Sequence, residues 1–260
     1  MMDHLWLSLF GFGVGLFGTL IGAGGGFILT PVLLLLYPHD TPDIITGISL
    51  SVTFANAFSG SIAYARMKRI QYKYGLVFAA AGIPGAVLGA LATYYVPRRT
   101  FDLIFGILLL IISAVISVKT PREHGYEESQ KMRLSPRQTA VGMGISIMVG
   151  FVSSFLGIGG GIVHVPALAV VLHFPVHIAT ATSHFILAII TLVGVLVHVV
   201  TGTFHHGVVR TIFLAVGVLL GAQVGAVLSS KVRGKVIIRV LALALALVAV
   251  RLLVLSLSAL

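Results

Sequence analysis

The sequence predicts an all-α polytopic membrane protein made of two inverted repeats, each a glycine-broken helix-turn-helix hairpin followed by about three full transmembrane helices. Three observations predict it: an apolar composition, two glycine motifs at one offset, and positive charge gathered into three loops. Of the 260 residues 58% are hydrophobic and 9% charged, and mean hydropathy is +1.09. That is the composition of a chain solvated by lipid, and it excludes a soluble enzyme.

The glycine motifs are GAGGGFILTP at Gly22–Pro31 and GIGGGIVHVP at Gly157–Pro166, 135 residues apart. Three successive glycines break a helix at little steric cost and leave polar backbone uncovered. Such backbone is tolerated at membrane depth only inside protein or along a wet cavity, and in transporters it commonly builds the substrate site. Close helix packing alone would need only a GxxxG pair. The duplication continues more loosely: Thr46 and Ser49 align with Thr180 and Ser183, and Gly85 and Gly89 with Gly221 and Gly225. Gly85, Gly89, Gly217, Gly221 and Gly225 read as helix-contact faces.

Taken in order, the apolar runs fall at 4–21, 27–37, 44–65, 75–96 and 100–118, then at 138–156, 162–173, 176–201, 207–229 and 236–258. The first begins directly after Met1-Met2-Asp3-His4 without a basic n-region, so no cleaved signal peptide is expected. Runs 27–37 and 162–173 fall short of the roughly 20 residues that span hydrocarbon. A first transmembrane repeat at 1–119, a cytoplasmic linker at 120–137 and a second repeat at 138–260 follow.

Charge sets the topology. Arg66–Lys73 carries four basic residues, Lys119–Arg137 five and Lys231–Arg239 four, against four elsewhere. Placing all three clusters in the cytoplasm requires an odd number of crossings per half, which inverts the repeats. Odd parity is met by five crossings or by a re-entrant hairpin plus three; the two short runs favour the hairpin. The net charge of +10 therefore reads as a membrane face, not a nucleic-acid site. With no cysteine there is no disulfide or thiolate metal site.

Neither glycine motif completes a P-loop or a dinucleotide fingerprint, so no ATP or nucleotide cofactor is expected. Each instead opens a helix, at Phe27 and at Ile162, whose unpaired N–H groups attract anions. The spans that follow add Ser49, Ser51, Thr53 and Asn56, and Thr180, Thr182, Ser183 and His184. Histidine is asymmetric: His164 is set against Thr30 of the first repeat, His184 against Leu50 and His198 against Tyr64.

The paired G-x-GGG-x-x-x-x-P motifs, in two hydrophobic repeats covering nearly the whole chain, resemble the TauE/SafE sulfite exporter family of membrane transporters. The resemblance implies a secondary transporter of sulfite, sulfoacetate or another sulfur-containing anion in the plasma membrane. It also implies that Gly24–Gly26 and Gly159–Gly161 are the substrate-binding tips. The expected site is Gly24, Gly25, Gly26, Phe27, Ser49, Thr53, Asn56, Gly159, Gly160, Gly161, Ile162, His164, Thr182, Ser183 and His184, with no catalytic or metal-ligating residue and no cofactor. Expected partners are a small anionic substrate and the bilayer, with no nucleic acid; a homodimer is allowed. Other small anions remain alternatives, as do an intramembrane enzyme, which lacks a legible Ser–Lys, Ser–His or two-carboxylate set, and a structural subunit, which leaves the broken helices unexplained.

Overall fold

The computed structural model describes residues 5–118, 133–202 and 207–232, and after these 236, 239, 242, 243, 246, 247, 249, 250, 253 and 254. Linker residues 119–132, the His205–His206 pair and residues 233–235 lie outside the described residues. The elements are α1 (Leu5–Ile21), α2 (Gly26–Leu36), α3 (Pro42–Arg66), α4 (Tyr72–Ala92), α5 (Arg98–Val118), α6 (Pro136–Leu156), α7 (Gly161–Pro166), α8 (Val176–Val200) and α9 (Val208–Ser229). The described residues of 236–254 are helical. Among the described residues the structure is all-helical, and five helices are long and apolar enough to cross a membrane.

Local sequence explains the ends. Pro42 occupies the first turn of α3, where its missing N–H costs nothing. Ser135 starts α6 with a reciprocal cap: its hydroxyl accepts from the Gln138 N–H at 3.2 Å, and Gln138 Oε1 accepts from the Ser135 N–H at 2.9 Å. The second short helix is shorter than expected, since α7 runs only to Pro166 and continues as a π-helical turn, Ala167–Val171. Pro31, by contrast, sits within α2.

Two pairs of parallel helices form the frame. On α9, a Cβ at Gly217 would overlap the Ser8 carbonyl and one at Gly221 the Phe12 carbonyl; on α4, a Cβ at Gly85 would overlap the Ile147 carbonyl. Backbones touch at these points because no side chain intervenes, so dispersion replaces the hydrophobic drive that lipid does not supply. Each pair joins the two halves of the chain: α1 packs on α9, and α4 on α6. Between them α3 and α8 cross antiparallel. Thr46, near the start of α3, faces His198 near the end of α8, while the Gln71 N–H beyond the end of α3 donates to Thr182 Oγ1 near the start of α8 (3.1 Å).

The two ends of this bundle differ in charge. At one, Arg210 pairs with Asp40 (2.6 Å) and stacks over Tyr37 (4.0 Å to the ring centroid), while Arg98 pairs with Asp102 (3.1 Å) and donates to the carbonyls of Asp40 and Leu34. These contacts bring the end of α2 back to the level at which α9 begins, where Ser8 of α1 also bonds the Phe213 carbonyl. At the other end lie Arg66, Lys68, Arg69, Lys73, Arg133, Arg137 and Lys231, with no acidic residue among the described residues.

Two outcomes follow. Gly85→Leu and Gly217→Leu should each lower the melting temperature in detergent, at a cost of about 1–3 kcal/mol or more from forced separation. Gly144→Ala, whose Cβ meets nothing within 4 Å, should leave it unchanged or raised. In the cysteine-free chain, single cysteines at Lys68 and Lys231 should label from one side of the membrane and a cysteine at His39 from the other; labelling of Lys68→Cys and Lys231→Cys from opposite sides would contradict the bundle.

Candidate functional site

The glycine tips have matching backbones. Gly22, Gly24 and Gly25 take φ of 82°, 79° and 79°, and Gly157, Gly159 and Gly160 take 69°, 81° and 77°. These left-handed values are strained for any residue with a Cβ, which is why the motif is glycine at these positions. Gly25 and Gly160 are the N-caps of α2 and α7. Every residue from Ile21 to Phe27 and from Ser153 to Ile162 is buried.

The tips cross in direct contact, midway along α3 and α8. A Cβ at Gly26 would lie 2.7 Å from the carbonyls of Gly157 and Ile158, and one at Gly161 2.7 Å from the Ala23 Cα. Thr53, halfway along α3, presses its methyl against both Gly24 and Gly159, and Leu187 of α8 meets the same two glycines. Hydroxyls of each half of the chain tie down the other half's tip. Ser49 Oγ donates to the Gly157 carbonyl at 2.6 Å, and Ser183 Oγ to the Gly22 carbonyl at 3.3 Å. The Thr30 hydroxyl lies 2.9 Å from the Gly157 oxygen and 2.8 Å from Ser49 Oγ.

This pairing leaves a bias. The Gly22 and Gly157 carbonyls are occupied, whereas the N–H groups of Gly25, Gly26 and Phe27, and of Gly160, Gly161 and Ile162, have no acceptor among the described residues. Asn56 Nδ2 and Thr53 Oγ1, both fully enclosed, also lack partners. Buried polar groups are normally bonded. Converging open N–H groups at the start of two helices offer donors to an electron-rich ligand.

The expected residues divide accordingly. Gly24–Phe27, Gly159–Ile162, Thr53 and Asn56 converge at the crossing, and Ser49 and Ser183 hold it from behind. His184 stands one layer back, its Nε2 3.2 Å from Thr19 Oγ1. His164 turns to α6, 3.0 Å from Ser146 Oγ. Thr182 sits at the basic end, taking the Gln71 N–H, and Ser51 bonds its own helix at the Gly47 carbonyl. The match of His164 with Thr30 is corrected by the packing: Thr30 lies against Gly157 as Val165 lies against Gly22, so His164 answers to Leu29. Thr19 was not expected. It donates to Asn56 Oδ1 at 2.6 Å, and Tyr64 OH donates to its carbonyl at 2.7 Å; its hydroxyl counterpart Ser154, 135 residues on, was a readable signal.

Known proteins match this chain along nearly its whole length. It is 30% identical to a probable membrane transporter protein, YunE, of Bacillus subtilis, over 95% of this chain and 96% of that one. It is 26% identical to the probable membrane transporter protein MJ0441 of Methanocaldococcus jannaschii, over 88% and 87% of the two chains. No solved structure matches. The family described as sulfite exporter TauE/SafE matches residues 7–252, spanning both glycine tips and the helices that hold them, and the chain belongs to that family.

Proposed function

We propose that this protein is a secondary transporter that carries a small sulfur-containing anion, such as sulfite, sulfoacetate or another sulfonate, across the plasma membrane. In this reading 1–119 and 138–260 are inverted repeats joined by a cytoplasmic linker at 120–137, and each glycine tip re-enters from its own face. The antiparallel course of α3 and α8, the return of α2 to the level of Ser8, and the crosswise pairing of α1 with α9 and α4 with α6 support it. The basic end then faces the cytoplasm.

The observation that carries the reading is the unfilled donor set at the crossing. Backbone N–H groups at Gly25–Phe27 and Gly160–Ile162, with Asn56 and Thr53, bind the anion by direct hydrogen bonds and helix-end dipoles, without a buried cation. Ser49 and Ser183 keep the turn carbonyls turned away from it. Because the tips belong to opposite repeats, rocking one hairpin against the other opens the site to one face at a time. The substrate class rests on the family description and on names of relatives that specify transport without a substrate.

Purified protein in liposomes should take up labelled sulfite or sulfoacetate; absence of flux for sulfite, sulfoacetate, thiosulfate, taurine and sulfate alike would contradict the reading. Thr53→Val keeps the side chain's shape and removes an unbonded hydroxyl. Its transport should fall about tenfold or more, while stability stays level or rises by about 1 kcal/mol, the reverse of a packing defect.

A further inference from the structure

We infer that the anion subsite is one-sided: the first repeat grips the ligand's oxygen through Asn56 Nδ2, and Asn56 is fixed as a donor by a hydrogen-bond chain reaching back through Thr19 to His184. This rests on the transport reading above and adds which half binds the oxygen and with what polarity.

The direction of the chain is set by Asn56, which turns its amide oxygen, not its nitrogen, toward Thr19. The Thr19 hydroxyl has one proton, and it goes to Asn56 Oδ1, which can only accept (2.6 Å). Thr19 Oγ1 therefore accepts from His184 Nε2 (3.2 Å), so the imidazole carries its proton on Nε2. Tyr64 steadies both members, its hydroxyl on the Thr19 carbonyl at 2.7 Å and its ring edge-on to His184 with centroids 5.6 Å apart. His184 also hydrogen-bonds the Gly22 backbone of the first tip. The chain ends at Asn56 Nδ2, fully buried, without an acceptor and lying beside the turn: a Cβ at Gly18 would come 2.6 Å from it and one at Gly25 3.4 Å.

An amide nitrogen only donates, and chained hydrogen bonds polarise one another. Asn56 thus presents a strengthened donor at the N-cap of the eleven-residue helix α2, next to the open N–H groups of Gly25 and Gly26. The second repeat cannot copy this. At the corresponding positions it has Ile190 for Asn56 and Ser154 for Thr19, and the partner of His184 is Leu50. The ligand is a small oxyanion that presents a deprotonated oxygen to the first tip; cations and hydrogen-bond donors are refused there.

Two measurements test this in the full-length protein. Nitrogen-15 NMR of histidine-labelled protein, with His184 assigned by its loss in His184→Gln, should show Nε2 protonated and Nδ1 bare. A proton on Nδ1 would reverse the chain, turn Asn56 Oδ1 to the Gly25 N–H as a helix cap, and overturn the inference. Sulfite is the probe for binding and uptake. Asn56→Asp should weaken sulfite binding about 100-fold, and Thr19→Val should raise KM about tenfold with kcat kept, restored by Thr19→Ser. Asn56→Asp that folds and binds sulfite like the wild type would overturn the one-sided subsite and leave the transport reading standing. Wild-type protein that neither binds nor carries any oxyanion would overturn both.

Discussion

The structure depends on one constraint: a helix backbone broken inside a buried apolar bundle must have its polar groups satisfied by protein. Here the solution is reciprocal and incomplete. Each tip's first carbonyl is bonded by a serine from the other half of the chain, Ser49 to Gly157 and Ser183 to Gly22. These hydroxyls bond one carbonyl in each tip, while the donors that open α2 and α7 stay unpaired among the described residues. Six such N–H groups around Thr53 and Asn56 would be a serious loss in a purely structural crossing. They are coherent if a ligand completes them.

The frame explains how so short a chain keeps that crossing in place. Glycine rows bring α1 to α9 and α4 to α6 at backbone contact, so each hairpin is braced by a full-length helix from the other half. Arg98 and Arg210 close the end of α2 by bonding the Leu34 and Asp40 carbonyls and the Asp40 carboxylate. At the basic end Tyr74 takes the Leu134 N–H (2.7 Å) and meets Phe174 edge-on. The two halves differ in their side chains, most clearly in the Thr19–Asn56–His184 group, whose counterpart positions are Ser154, Ile190 and Leu50.

Much of this was legible in the sequence, because glycine triplets and apolar runs are backbone-level signals. The motif located both tips, and most helix ends fall within a few residues of the expected runs. What it missed is directional. Thr182 was grouped with Ser183, yet neighbouring residues on a helix point about 100° apart, so Thr180, Ser183 and Leu187 face the tips while Thr182 faces the α3–α4 connection. The same spacing, applied to Ser49, Thr53 and Asn56, puts all three on one stripe. Thr19 stands alone in its own helix, where a threonine usually bonds its own backbone; its pairing with Asn56 and His184, residues far off in sequence, gives it a role.

The central claim is that the open N–H groups at the two tips are where the anion sits. The direct measurement is solid-state NMR of the glycine-labelled protein in bilayers, following amide protons as sulfite is added. The account predicts that Gly25, Gly26, Gly160 and Gly161 shift together toward stronger hydrogen bonding with one saturating affinity, while Gly13 and Gly144, which face open space, stay put. Saturable sulfite binding with all four tip amides unmoved would contradict it.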